Sequence, residues 1–153
     1  MNQKIIAVYT TDKEYAKRII NALVAKEYHK SDIIRYCTST TDITVELRNG
    51  DFYRWARPNS NARGIKPDIS YIDIDTCSLD TIQTIITPCN LKGNFEIISS
   101  GSDNYDLDSF IDRLLKIRYL KGNLESVQVF DMKYLESNVL HISVQDEKVI
   151  FIT

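Results

Sequence analysis

A strand, turn and helix pattern near the start of the chain limits the fold most. Residues 5–9 form an almost unbroken run of β-branched and apolar side chains, which is typical of a strand buried on both faces. Residues 11–14, Thr-Asp-Lys-Glu, match the capping box of a helix start. The pattern is the first half of a βαβ unit and predicts an α/β fold. Apolar side chains then recur at helical spacing: Tyr15, Ile19, Ile20, Leu23 and Val24.

The remaining sequence adds both strands and helices to this unit. Asn49-Gly50 between two apolar runs predicts a hairpin, and residues 58–67, which are rich in Asn, Pro, Ser and Gly, predict a loop. We therefore expect a three-layer α/β domain whose sheet is partly parallel, with antiparallel hairpins and antiparallel C-terminal strands. Further strands are predicted at 33–38, 42–47, 52–55, 69–74, 95–98, 126–130, 139–144 and 149–152, and further helices from 79 to near Pro88 and at 106–121.

Composition excludes several classes of protein. A length of 153 residues predicts a single domain. Nineteen basic against twenty-one acidic residues argue against a strongly basic nucleic-acid-binding module, and three cysteines, an odd number, argue against a disulfide-stapled secreted domain. No apolar run approaches the roughly 20 residues of a membrane span, and the first residues lead straight into a strand without a signal-peptide pattern. We expect a cytoplasmic protein with no membrane partner.

Two acidic residues mark the end of the strand predicted at 69–74. Asp73 and Asp75 are two positions apart, so on a continuing strand they would share one side. Paired carboxylates at a strand end are suited to a divalent metal ion. The alternative is that both are exposed acids, one of which caps the helix that follows. The sequence leaves open whether they bind a metal.

Arginines and aromatic residues alternate around the predicted hairpin. Guanidinium groups beside aromatic rings are suited to a nucleic-acid backbone and its bases. The alternative is a hairpin packed through Trp55, with a solvated charged face. Because the net charge is −2, any nucleic-acid binding is expected to be weak and sensitive to salt. Four arginines stand between residues 48 and 63: Arg48, Arg54, Arg57 and Arg63.

One stretch has the order of a known family. An Asn49-Gly50-Asp51 turn is followed by an Asn61-Ala62-Arg63-Gly64 loop and by a strand that ends at Asp73. This order resembles the middle of the ATPase domain of phage large terminases and related helicase-like motors. In that family an Asn-Gly-Ser turn and an Ala-Arg-Gly loop precede the Walker B strand.

The similarity covers about residues 4–102. Ile5 to Val24 resembles the strand and helix that follow the nucleotide-binding helix. Phe95 to Gly101 resembles the later strand whose serine- or threonine-rich end couples hydrolysis to movement. The resemblance implies an ATPase-core-like part at 1–102, followed by a helix with antiparallel strands at 103–153. It also implies that the Arg63 loop lies beside the Walker B strand.

The chain departs from that family at the residues that bind and cleave the nucleotide. A sequence of the form G-x-x-x-x-G-K-[ST], which cradles phosphates, is absent, and none of the five glycines precedes Gly50. Ile74 follows Asp73 where the family has a glutamate that orients water. We therefore expect no ATP hydrolysis and no cofactor. Without a nucleotide, Arg63 is expected to pair with Asp68 or Asp73.

These observations predict a small, non-catalytic, phage-type binding or regulatory protein that acts through a protein partner. One alternative is a metal-dependent nuclease or phosphotransfer enzyme that uses Asp73 and Asp75. The other is a nucleic-acid-binding accessory protein. The candidate ligand- or partner-binding residues are Arg63, Asp73, Asp75, Arg54, Arg57 and Trp55.

Overall fold

The computed structural model describes residues 3–90, 92–101, 107–121, 127–128, 141–145 and 148–152. The chain divides into two compact units, residues 1–100 and 101–153. The first unit holds β1 Ile5–Tyr9, α1 Lys13–Glu27, β2 Ile33–Thr38, β3 Ile43–Leu47, β4 Phe52–Ala56, β5 Ile69–Asp73, α2 Leu79–Thr81, α3 Thr87–Cys89 and β6 Asn94–Ile98. The second holds α4 Leu107–Lys121, β7 Val127–Gln128, β8 His141–Gln145 and β9 Lys148–Ile152.

The sheet of the first unit is mixed, in the order β2-β3-β4-β1-β5-β6. β1 pairs in parallel with both β4 and β5, and β5 pairs in parallel with β6. β2, β3 and β4 are joined by antiparallel pairing. The predicted partly parallel sheet with antiparallel hairpins is confirmed. All four parallel strands end at the same edge of the sheet, and side chains that follow them come together there.

α1 covers one face of this sheet. Its buried side chains are Ala16, Ile20 and Val24. Ile20 and Val24 belong to the predicted stripe, whereas Ala16 does not. Asp12 caps the start of the helix, and its carboxylate accepts from the Tyr15 backbone amide at 3.1 Å. The capping-box pattern predicts the cap one residue earlier, at Thr11, and that position is wrong. Burial of this face stabilises the unit by the hydrophobic effect. The strand residues in the same core are Ile6, Val8, Ile43, Val45, Leu47, Tyr53 and Trp55.

The helical segment between β5 and β6 covers the other face, which gives the three layers. Ile82 and Ile86 are fully buried, as is Ile72 of β5. The side-chain amide of Asn90, just after α3, donates to the Ser70 hydroxyl at 2.9 Å and so fixes the end of the segment to β5. The three-layer α/β prediction is therefore confirmed.

This segment ends close to Pro88, as the sequence predicts: α3 ends at Cys89. It begins after Ser78, whose hydroxyl accepts from the Thr81 amide, and it continues through a π-helical turn, Ile82–Ile86, into α3. Proline has no amide hydrogen and its ring collides with the preceding helical turn. The wider π turn before Pro88 accommodates that defect, and the Thr87 hydroxyl donates to the Ile82 carbonyl at 3.0 Å.

The second unit joins one helix to a three-stranded sheet, in the order β7-β8-β9. Both strand pairs are antiparallel, as the sequence predicts. On α4, Lys116 pairs with Asp112 one turn earlier at 2.6 Å. The predicted helix stop at Gly122-Asn123 and the predicted turn at Asp146-Glu147 lie outside the described residues, as do residues 126, 129–130 and 139–140 of the strands predicted at 126–130 and 139–144. No helix in the described ranges is long and apolar enough to cross a membrane.

Candidate functional site

The carboxyl ends of β1 and β5 form the place where this sheet topology would open a ligand crevice. The two strands are parallel neighbours. The chain leaves β1 through α1 toward the β2 edge of the sheet, whereas it leaves β5 toward β6 at the opposite edge. Open α/β sheets bind ligands where neighbouring strands diverge in this way. Asp73, the last residue of β5, lies at this position.

Asp73 is completely buried, with a relative exposure of 0%. Its Oδ2 atom accepts hydrogen bonds from the Thr10 hydroxyl at 2.7 Å and the Thr76 hydroxyl at 3.0 Å. Its Oδ1 atom accepts from the backbone amides of Asp75 and Ser100, both at 3.1 Å. A carboxylate has about four acceptor positions, so the protein's own donors occupy all of them.

The two hydroxyl groups that donate to Asp73 are themselves held in place. The Thr10 hydroxyl oxygen accepts from the Asp12 amide at 3.1 Å. The Thr76 hydroxyl oxygen accepts from the Thr11 amide at 3.1 Å. The carboxylate therefore joins the end of β1, the start of α1 and the turn after β5 in one hydrogen-bond network, which we call the Asp73 clasp.

Asp75 does not continue the strand that carries Asp73. β5 ends at Asp73 and the chain turns over the next residues, so the predicted strand end at Ile74, and with it the alternation that would place both acids on one side, does not apply. The Ser99 hydroxyl donates to the Asp75 carboxylate. Within the described ranges, no group of three or more His, Cys, Asp or Glu side chains is placed to hold a metal ion.

Tyr15 also faces this edge, and the sequence analysis assigned it only to the helix core. Burial, and then the nearby negative charge of Asp73, raise the pKa of its phenol above the ordinary value. Its position could have been found from the sequence, because the first turn of a helix that follows a parallel strand lies at the carboxyl edge of the sheet.

Arg63 is exposed, on a 3₁₀ turn at Ser60–Gly64. The predicted pairing of Arg63 with Asp68 or Asp73 is wrong. Lys92 pairs with Asp68 at 2.8 Å, and the Ile5 amide also donates to that carboxylate. These contacts, with the Lys92 hydrogen bond first, hold the pKa of Asp68 below its usual range. The Asp73 clasp leaves no acceptor position for a guanidinium.

Trp55 is buried with an exposure of 6%, as predicted. Its ring packs in the core beneath α1, and its Nε1–H donates to the Thr10 carbonyl at 2.8 Å. The guanidinium of Arg57 lies 5.2 Å from the centre of the ring, a distance at which a cation is attracted to the aromatic face. Trp55 therefore supports both the core and the position of Arg57.

Arg54 and Arg57 line one polar cleft of about 300 Å³ at the end of β4. Arg48 does not line it; its Nε donates to the Ser31 carbonyl at 2.8 Å. The arginines of the hairpin thus do not form one surface. The cleft is also lined by Thr41, Asp42, Asn59, Asn61, Ala62 and Ile65.

Comparisons with models of protein families, with curated proteins and with solved structures each gave no match.

Proposed function

We propose that this chain is a non-catalytic, phage-type binding or regulatory protein on a reduced core that resembles helicase-like motor ATPases. In this proposal it acts in the host cytoplasm through a protein partner. The observation that carries the non-catalytic part is the Asp73 clasp. An acid that serves a nucleotide-bound metal must offer an oxygen to the ion or its water shell, whereas both oxygens of Asp73 accept hydrogen bonds from the chain itself.

The sequence supports the same conclusion. The residue after Asp73 is Ile74, which has no group that can orient water, and the glycine-lysine loop that cradles a triphosphate is absent. The clasp does not favour the metal-dependent alternative, and within the described ranges no group of three or more His, Cys, Asp or Glu side chains is placed to hold a metal ion. In this proposal Asp73 keeps its place at the end of the strand and holds the carboxyl edge of the sheet together.

β2 supports the partner-binding part of the proposal. It is the outer strand on one side of the sheet, and Ile34 and Tyr36 on it are 59% and 41% exposed. An edge strand that carries apolar side chains is a template for pairing with another chain. Beside it, an apolar groove of about 270 Å³ lies between α1 and β2, lined in part by Val24, Tyr28 and Ile33. We propose a partner that adds a strand along β2 and places an apolar side chain in this groove.

The proposed absence of catalysis is tested by measuring phosphate release from ATP in the presence of magnesium. We expect release no faster than in buffer, since no amide cradle holds the phosphates. The control is Asp73→Asn, assayed at a temperature at which its circular dichroism spectrum is native. Turnover that rises with protein concentration and is lost in this variant would contradict the proposal.

The partner half is tested by comparing two variants as bait in extracts of the cells in which the protein is made. Ile34→Lys combined with Tyr36→Lys changes only exposed side chains of β2, so the fold is expected to survive. Tyr119→Lys, at an exposed tyrosine of α4, is the matched control. We expect the parent chain and Tyr119→Lys to capture a protein from the extract that the β2 variant does not capture. Equal retention by all three would contradict a role for β2.

A further inference from the structure

We propose that the polar cleft at the end of β4, which Arg54 and Arg57 both line, binds a phosphate group. The cleft is separate from the Asp73 clasp and from the β2 edge, so this proposal does not depend on the proposed function. It rests on an arginine whose Nε–H finds no acceptor among the described residues, on a second arginine in the same lining, and on the balance of charge around them.

Arg54 is a partly buried arginine with one unsatisfied hydrogen-bond donor. Its Nε atom is buried and has no hydrogen-bond acceptor among the described residues. It lies in the middle of β4, between Ala7 of β1 and Thr44 of β3. A guanidinium is always charged and carries five N–H donors, and leaving such a group unsatisfied away from water is costly. An oxyanion in the cleft would supply the missing acceptors.

Arg57 provides the second guanidinium. Its guanidinium lies over the Trp55 ring, which also lines the cleft, and Trp55 is fixed in turn by its hydrogen bond to the Thr10 carbonyl. Planar guanidinium groups hold phosphate oxygens through paired hydrogen bonds. A phosphate monoester carries a charge of about −1.5 to −2 at pH 7, so it balances two guanidinium groups better than the single charge of a carboxylate does.

Asparagines of the following loop add a polar wall. The Asn59 amide oxygen accepts from the Asn61 backbone amide at 3.0 Å, and this hydrogen bond fixes the side-chain orientation of Asn59. The NH₂ group of an amide can only donate. Both asparagines line the cleft, so Asn59 is placed to add a donor to those of the arginines.

Asp42 is the one acidic residue in the lining. The Thr41 hydroxyl donates to its carboxylate at 3.1 Å, and among the described residues it forms no ion pair with either arginine. Two arginines and one aspartate leave the lining with one positive charge in excess. The carboxylate opposes an anion, so its removal is expected to strengthen binding. The volume of about 300 Å³ lies at the lower end of small-molecule sites.

The test measures binding to the full chain by NMR titration at constant ionic strength, with chloride as the balancing anion. Three probes share the phosphate chemistry but differ in source: inorganic phosphate, thymidine monophosphate and a short oligo-dT strand. We expect Kd values of about 1 mM or lower for the best probe. A large preference for the strand would identify a nucleic-acid backbone as the source, and equal affinity for phosphate and nucleotide would identify the phosphate alone.

Four variants are expected to change phosphate binding in different directions or to leave it unchanged. Arg54→Gln and Arg57→Gln should each weaken binding about tenfold, the loss expected for a charge-assisted hydrogen bond. Asp42→Asn should strengthen it about threefold. Arg63→Gln removes an exposed arginine that does not line the cleft and should leave it unchanged. Arg57 is exposed, so its variant keeps the test valid if Arg54→Gln unfolds.

Three results would overturn the proposal. The first is no saturable binding of any probe below about 50 mM, far weaker than a specific site requires. The second is an equal loss in Arg63→Gln and Arg57→Gln, which would mean attraction to the general surface charge. The third is binding of succinate as tight as that of phosphate, which would assign the cleft to carboxylates.

Discussion

Replacing Asp73 by alanine removes the acceptor of the whole clasp. The side chain is fully buried, and the change leaves four donors without it: two hydroxyl groups and two backbone amides. The hydroxyls of Thr10 and Thr76 can rotate toward each other, since their oxygens are 3.2 Å apart. The two amides cannot, and each buried unsatisfied group costs about 1–3 kcal/mol. We expect a loss of about 2–4 kcal/mol of unfolding free energy, which comes from the two unpaired amides and the hydrogen bonds that the hydroxyls lose.

The assay is urea unfolding of the full chain, followed by the fluorescence of Trp55, which is the one tryptophan of the sequence and lies in the first unit. The matched control is Asp75→Ala. Asp75 is two residues away but only partly buried, with a hydrogen bond from Ser99, and its removal should cost about 1 kcal/mol.

The reasoning fails if Asp73→Ala costs less than about 1 kcal/mol, or if the two aspartate variants cost the same. A double-mutant cycle with Thr10→Val adds an independent check, because two residues in direct hydrogen-bond contact should show a coupling of about 0.5–3 kcal/mol. Additive effects of the two substitutions would mean that Asp73 stabilises the protein by contacts other than its hydrogen bond with Thr10.

Three further predictions follow from the fold. Trp55→Ala should cost about 3–5 kcal/mol by thermal or urea unfolding followed by circular dichroism, whereas an unchanged Tm would show that the ring does not support the core. The pKa of Asp68 is lowered, so its contribution to stability is present above the unfolded value of about 4 and is lost as pH falls through the folded value; Asp68→Asn should therefore lose less stability than the parent between pH 7 and pH 3, and parallel curves would contradict this. Arg63→Ala should change the unfolding free energy by about 0.5 kcal/mol or less, since the side chain is exposed, and a larger loss would reveal a structural partner.

The strands with the simplest sequence patterns were the easiest to predict. β1 and β2 have the predicted bounds, because a short apolar run flanked by polar residues leaves little freedom for a strand to shift. The hairpin at Gly50 forms as predicted, with a positive φ of 94° that glycine adopts without strain. These features depend on neighbours in the sequence.

The site depended on contacts between distant residues and was predicted less well. Asp73 was correctly predicted at a strand end. The Thr10 hydroxyl that donates to it, however, is 63 residues away in the sequence. The same reason explains the wrong partner predicted for Arg63. Lys92, which precedes β6, forms the salt bridge with Asp68 instead. The sequence around Thr10 and around Lys92 does not differ from that around an ordinary surface residue. Their contacts with Asp73 and Asp68 are therefore visible only in the folded sheet.

The central claim is that the Asp73 carboxylate is occupied by the chain and takes no metal ion. Manganese ions added to the ¹⁵N-labelled full chain test it directly, because a bound paramagnetic ion broadens the resonances of nearby amides. The informative amides are those of Asp75 and Ser100, which donate to Asp73. We expect them to broaden no more than amides elsewhere in the sheet. Selective broadening at both, abolished in a folded Asp73→Asn variant, would contradict the claim.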